Sequence, residues 1–135
     1  FADVLLKSNL KRAMVVHGMD GLDEISCCAP TRVSELRDGQ IKTYELLPEL
    51  LIDNVYEPSE LLGGDAKVNA AIMRSVLDGS DQGAPRAAVL INAGAAIYNY
   101  GMAETHRDGI ALAAKSIDSG AALDKLMSLI EVSNG

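Results

Sequence analysis

Between residues 12 and 24 the chain reads Arg12-Ala13-Met14-Val15-Val16-His17-Gly18-Met19-Asp20-Gly21-Leu22-Asp23-Glu24, and the expected architecture grows from this segment. Ala13 to His17 is an unalternated apolar run stopped by a glycine, the pattern of a strand covered on both faces. Gly18 to Glu24 carries two glycines and three carboxylates, which predicts a loop with unusual backbone angles. In open α/β sheets ligands sit outside the carboxyl ends of strands, so the acids stand where a ligand would be met. Oxygen ligands of this kind suit a hard divalent ion, and magnesium is commonly held by one or two carboxylates together with waters and substrate phosphates. Asp23 and Glu24 are the candidate ligands, with Asp20 close enough to support them from behind or to reach the metal through a water. The plainer alternative is that acids on an acidic chain cap a turn; spacing alone does not separate the two.

Working outward, Ala2 to Leu10 is expected to form a short helix. Thr31–Arg37 and Ile41–Leu47 flank Asp38-Gly39, a pair suited to a tight turn between antiparallel strands. Pro48 ends the second strand, and Glu49 to Gly64 reads as connection, with a helical turn starting near Pro58. Asp65 caps a helix with Val68, Ala71, Ile72 and Val76 on one stripe, closed by Gly79. Ala87 to Ile91 reads as a second buried strand, passing into the small residues Ala93 to Ala96, which would let a helix lie close to a neighbour. Thr105 caps a further helix, and Ser119-Gly120 separates it from a last one.

The expected fold class is α/β: a partial, mainly parallel sheet with an antiparallel hairpin and flanking helices. About four strands are expected against a usual five or six. The missing neighbours point to an absent N-terminal segment or a partner chain, and to an exposed sheet edge. A chain that opens at Phe1 in helix-like sequence reads as a piece of something longer.

Composition narrows the function. With 48% hydrophobic residues in 135, a core can form and long disorder is excluded. Twelve basic against nineteen acidic side chains give a net charge of −7, which repels nucleic-acid phosphates and anionic lipid. No apolar run approaches the roughly 20 residues of a membrane helix, and no secretory signal is visible, so a cytoplasmic protein is expected. The two cysteines, Cys27 and Cys28, are adjacent; a vicinal bridge is strained and staples nothing, so they read as reduced and structural. His17, at the end of an apolar run, is expected to point inward with a hydrogen bond, and His106 to lie on the surface. Asn92 is expected to satisfy loop backbone groups.

The passage His17 to Ser26 resembles the acidic loop of anthranilate phosphoribosyltransferases. The hairpin around Asp38-Gly39, Leu62-Gly63-Gly64-Asp65 before Asn69-Ala70, Val89 to Ala93 with Asn92, and Ile117-Asp118-Ser119-Gly120-Ala121 are similar in order and spacing. The resemblance covers practically all 135 residues and corresponds to the C-terminal part of the family's α/β domain. It implies that Asp23 and Glu24 bind magnesium on phosphoribosyl pyrophosphate. It implies further that the whole enzyme transfers the phosphoribosyl group to anthranilate in tryptophan biosynthesis, and a homodimer is expected. No residue of this chain is expected to be catalytic in the sense of a nucleophile, because the substrate amine attacks. The family's N-terminal helical domain, its Gly-Thr-Gly-Gly-Asp pyrophosphate loop, its Lys-His-Gly-Asn-Arg segment and its anthranilate-site arginine have no match here. Gly63-Gly64-Asp65 imitates part of that loop, but Asp65 as a cap fills the anion position and repels phosphate. Two other readings stand beside this one: a noncatalytic α/β association module using its uncovered sheet edge, and a piece of a related pyrimidine-nucleoside phosphorylase.

Overall fold

The computed structural model describes residues 1–135. Three strands, β1 (Arg12–Gly18), β2 (Thr31–Arg37) and β3 (Gln40–Leu46), form one sheet in the order β1-β2-β3. β2 and β3 are joined by Asp38 and Gly39, with φ of 50° and 76°. Two successive left-handed residues match the right-handed twist of the strands they connect, so this turn fixes the register. Val33 stands opposite Val16 on one side and Tyr44 on the other. Two short 3-10 turns follow, Pro48–Leu50 and Pro58–Leu61.

Five helices complete the chain: α1 (Ala2–Lys7), α2 (Ala66–Leu77), α3 (Ala84–Tyr100), α4 (His106–Asp118) and α5 (Ala121–Asn134). Two of them start on the caps read from the sequence. Asp65 Oδ1 accepts the Val68 N–H at 2.9 Å. Thr105 and Asp108 form a reciprocal capping box, so orphan donors at the helix start are satisfied. None of the helices is long and apolar enough to cross a membrane.

The α/β class, the hairpin and the flanking helices are as expected, but two details differ. Both strand pairings are antiparallel, so the sheet has no parallel pair within this chain. Ala87 to Ile91 is not a strand but lies within the first two turns or so of α3. Five apolar residues carry no period that separates a buried strand from a buried helix. The deciding signals are Pro85 in the first turn, where its missing N–H costs nothing, and the uninterrupted length to Gly101, which ends the helix at φ 93°. β1 lies at the sheet edge, bonded only to β2, and its apolar residues are half-buried rather than fully covered.

The core lies between one sheet face and α3. Val33 and Leu46 meet Ala87, Ile91 and Ala95, and Ile25 and Cys27 join them from the loop after β1. The spacing 87, 91, 95 is a single helical stripe. On the opposite face by strand parity, Leu36 is also buried, and α1 packs against all three strands. A polar seam runs beside this core: Glu35 accepts the hydroxyls of Tyr98 (2.8 Å) and Tyr44 (3.0 Å), while Arg37 Nη1 donates to the Tyr98 oxygen at 2.9 Å. Burial first, and the neighbouring Glu35 carboxylate second, push both phenols above their ordinary range.

α3 and α4 touch backbone to backbone. A Cβ on Gly94 would lie 2.6 Å from the Ile110 nitrogen, and one on Gly109 would run into the Gly94 carbonyl. This crossing also decides where His106 goes. His106 lies three residues before Gly109 and Tyr98 four after Gly94, so the two rings meet edge to face with centroids 4.3 Å apart. The expectation of a surface histidine is therefore corrected: His106 is half-buried, and its Nε2 is buried with no partner. Arg86 and Asp118 close the other end of the helix pair with an ion pair of 2.6 Å.

Gly109→Ala is expected to cost about 1–3 kcal/mol or more, because added atoms in a closed contact force backbone shifts; urea unfolding of the two chains measures it. Burial holds the His106 imidazole below its ordinary value of 6.5 despite the opposing pull of Glu35. The unfolded chain keeps the ordinary value, so it takes up a proton that the folded state refuses. This contribution to stability is present above about pH 6.5 and is lost as pH falls below it. The melting temperature is expected to drop between about pH 7.5 and pH 5.5, and His106→Gln to flatten that drop.

Candidate functional site

The loop after β1 closes on itself at once. Gly21 N–H donates to the Gly18 carbonyl at 2.9 Å, Gly18 N–H to the Leu22 carbonyl at 2.8 Å, and Met19 N–H to the Pro30 carbonyl at 2.8 Å. Gly21 makes this possible with φ of 98°, a region open to glycine at little cost. Gly18 is needed for a different reason. A Cβ there would sit 2.6 Å from Asp20 Oδ1 and 3.3 Å from the Glu24 carbonyl oxygen, so the loop rests directly on the strand end.

Asp20 is tied into this loop. Its Oδ2 accepts the Ser26 hydroxyl at 2.6 Å, and its Oδ1 faces the Leu22 N–H at 3.4 Å. Ser26 is buried and in turn accepts from the backbone N–H groups of Cys28 and Ala29, while its own N–H donates to Thr31 Oγ1. Asp20 thus braces the turn from within rather than projecting freely.

Asp23 and Glu24 behave differently. Both are exposed, and neither carboxylate takes part in the chain's hydrogen bonds or in its ion pair. The residues flanking the pair are nonetheless anchored, Leu22 through its carbonyl to Gly18 and Ile25 to Asn92. Ile25, the next residue, is buried in the core, and Asn92 of α3 grips its backbone from both sides. Asn92 Oδ1 accepts the Ile25 N–H at 2.9 Å, and Nδ2 donates to the Ile25 carbonyl at 3.0 Å. The expectation that Asn92 serves loop backbone groups is met, from the middle of a helix rather than from beyond a strand.

The donor set bears on what such a loop could hold. No cluster of three or more metal-ligating side chains exists, so there is no protein cage for a tightly bound ion. Two free hard-oxygen groups on a pinned loop fit an ion that takes its other ligands from water or from a bound phosphate, which is how magnesium is usually held.

The remaining candidates fall into place as structural groups. His17 is exposed and stands opposite exposed Arg32, which corrects the inward reading. Met14 and Val16 face the core, so parity turns His17 to the other face, and it lies at the far end of β1 from Ala13, which pairs with buried Leu36. Cys27 and Cys28 are free thiols with sulfurs 3.8 Å apart. Burial, with Cys28 as second cause, pushes the Cys27 thiol up to about 12, so it is not a thiolate nucleophile at neutral pH. Around Gly64, Asn69 takes the N–H and the carbonyl of the glycine at 2.9 and 3.0 Å, and Asp65 caps α2, leaving this glycine pair as an ordinary helix start. An apolar cavity of about 280 Å³ between the Leu61–Gly63 segment, α2 and α3 has none of the acidic-loop residues in its lining.

Comparison with known proteins bears on this loop and on the whole chain. Residues 1–123 match the model of the glycosyl transferase family, a/b domain. An anthranilate phosphoribosyltransferase of Desulfatibacillum aliphaticivorans is 50% identical over 131 residues, covering 97% of this chain and 38% of the relative. That of Desulfosudis oleivorans is 50% identical over 137 residues, covering all of this chain and 40% of the relative. The chain therefore spans about two fifths of the length of these relatives. Among solved structures, the anthranilate phosphoribosyltransferase of Thermus thermophilus superposes with a TM-score of 0.87 at 32% identity, over 99% of this chain and 39% of the other. The Saccharomyces cerevisiae enzyme in complex with PRPP and Mg gives 0.76 at 30% identity, over 87% and 34%. The resemblance drawn from the acidic loop is thus borne out across the chain. With residues 1–123 matching the model of its a/b domain, the chain belongs to the glycosyl transferase family.

Proposed function

We propose that this chain is the C-terminal part of an anthranilate phosphoribosyltransferase, residues 1–135 supplying part of its α/β domain. In this reading the whole enzyme moves the 5-phosphoribosyl group from phosphoribosyl pyrophosphate to the amino group of anthranilate, a step of tryptophan biosynthesis, as a cytoplasmic homodimer. The observation that carries the reading is the pair Asp23 and Glu24: two adjacent carboxylates, free of protein partners, between Leu22 bonded to Gly18 and Ile25 bonded to Asn92.

Breaking the bond to pyrophosphate leaves negative charge on the departing group, and a magnesium ion on the diphosphate neutralises that charge. The part of this chain is to present Asp23 and Glu24 as oxygen ligands for the metal–diphosphate. Asp20 holds the turn in shape through Ser26 while they do so. None of the three needs to give or take a proton, and the acceptor amine supplies the electron pair.

Two outcomes follow. The isolated 135-residue chain is expected to show no transferase activity when anthranilate consumption is followed by fluorescence, since the family's pyrophosphate loop is not within it; robust turnover overturns the division of labour. Magnesium binding by the isolated chain is expected to be weak, because two carboxylates without substrate phosphates leave most ligand positions to water. In calorimetry, Asp23→Asn/Glu24→Gln is expected to abolish the heat of magnesium addition, and equal heats for the two chains remove the metal assignment.

A further inference from the structure

Asn92 interrupts the apolar stretch of α3 from Ala87 to Ile97, and all of its amide is used. Oδ1 accepts from the Ile25 N–H (2.9 Å); Nδ2 donates to the Ile25 carbonyl (3.0 Å) and to the Ala88 carbonyl one turn earlier on its own helix (3.0 Å). The first two bonds reproduce what a neighbouring strand gives a residue: one acceptor for its N–H and one donor for its carbonyl. Ile25 lies beyond the end of β1 and before the start of β2, where no sheet partner exists. The third bond fixes the rotamer of Asn92 against α3, so the amide arrives pre-oriented. α3 is itself anchored on both flanks of Asn92, by Ile91 and Ala95 in the core and by Gly94 against α4.

Position gives the arrangement its consequence. The Ile25 N–H belongs to the peptide formed with Glu24, so the bond to Asn92 sets the plane of that peptide. The Glu24 carbonyl oxygen is also one of the atoms that a Cβ on Gly18 would meet, at 3.3 Å, behind Asp20 Oδ1 and Leu22 Cβ. The Glu24 carbonyl thus lies close over the end of β1, and the next residue is held by the side chain of a helix residue 67 positions beyond it, while the Glu24 carboxylate stays free.

We propose that Asn92 is a positioning residue for the cation site: it takes the place of a sheet neighbour for Ile25 and thereby sets the direction from which the Asp23–Glu24 pair meets a divalent cation. This rests on the reading of Asp23 and Glu24 as metal ligands. Asn92 touches neither metal nor substrate and acts only through the backbone. Outer groups that orient metal ligands change affinity by about 10–100-fold when removed, and Asn92→Ala is expected to fall in that range.

The test uses manganese as probe, because its paramagnetism broadens nearby amide resonances even when binding is weak. In the unmodified 135-residue chain, manganese is expected to broaden the amides of residues 22–26 first, and the Ile25 amide is expected to exchange slowly with deuterium. Asn92→Ala is expected to raise the manganese concentration needed by about ten-fold or more and to speed exchange at Ile25, with the helical signal in circular dichroism kept. Ile91→Val trims the adjacent core without touching the Ile25 backbone and is expected to leave the manganese titration unchanged. An unchanged titration in Asn92→Ala, or an equal weakening in Ile91→Val, overturns the proposal. If Asn92→Ala does not fold, Asn92→Ser is titrated instead under the same two criteria. Loss of broadening in Asp23→Asn/Glu24→Gln supports the metal reading independently. If that double variant titrates like the unmodified chain, the metal reading itself falls; if it does not bind and Asn92→Ala binds normally, only the role of Asn92 falls.

Discussion

α3 must serve two surfaces at once, and the rest of the structure follows from how it does so. Its stripe of Ala87, Ile91 and Ala95 packs on Val33 and Leu46 of the sheet, while Gly94, one residue before Ala95, admits the backbone of α4. Asn92 reaches from the same turns to the loop after β1. Small residues make this possible. A Leu side chain in place of Gly94 or Gly109 would hold the two helices apart, and the interaxial spacing of packed helices is set by the side chains at the contact. With the helices apart, His106 would lose Tyr98, and α3 could not keep its place over the sheet and the loop together.

That geometry explains which features were legible along the chain and which were not. Asp38-Gly39, Asp65 and Thr105 act within four residues of themselves, through backbone angles and caps, and their roles could be read locally. The Ala87–Ile91 run could not, because its burial is the same in a strand or a helix; Pro85 and the unbroken length to Gly101 carried the answer. The parallel sheet expected from two such runs disappears with it, since one of its strands is α3. The histidines changed places for a related reason. Orientation at position 17 depends on strand parity, and at position 106 on a helix crossing fixed by two glycines far apart in sequence. The candidate site divides in the same way. Its exposed acids were visible as chemistry on a glycine-rich loop, whereas the braces, Ser26 on Asp20 and Asn92 on Ile25, depend on tertiary contacts. The one local hint of the second brace was an asparagine inside an apolar helical run, a group that needs partners wherever it is buried.

The contrast between Asp20 and its two neighbours carries the argument about the loop further than charge does. A chain of net charge −7 has acids on many surfaces, and exposed like charges repel only weakly in water, so their presence alone says little. What distinguishes this loop is that its three carboxylates have two fates. Asp20 is committed to a buried serine at 2.6 Å, and the serine to two backbone donors beyond it. Asp23 and Glu24 have no such commitment, although the residues on either side of them are held, Leu22 by Gly18 and Ile25 by Asn92. Ordering a segment costs conformational entropy, and here the hydrogen bonds and the burial of Ile25 offset that cost without using either side chain. Asp65 and Asp108, by contrast, are drawn into the caps of α2 and α4. On the proposed reading, anchored flanks with free oxygen ligands let a cation meet both groups without the cost of first ordering the loop, while leaving most of the coordination sphere open to a phosphate-bearing ligand.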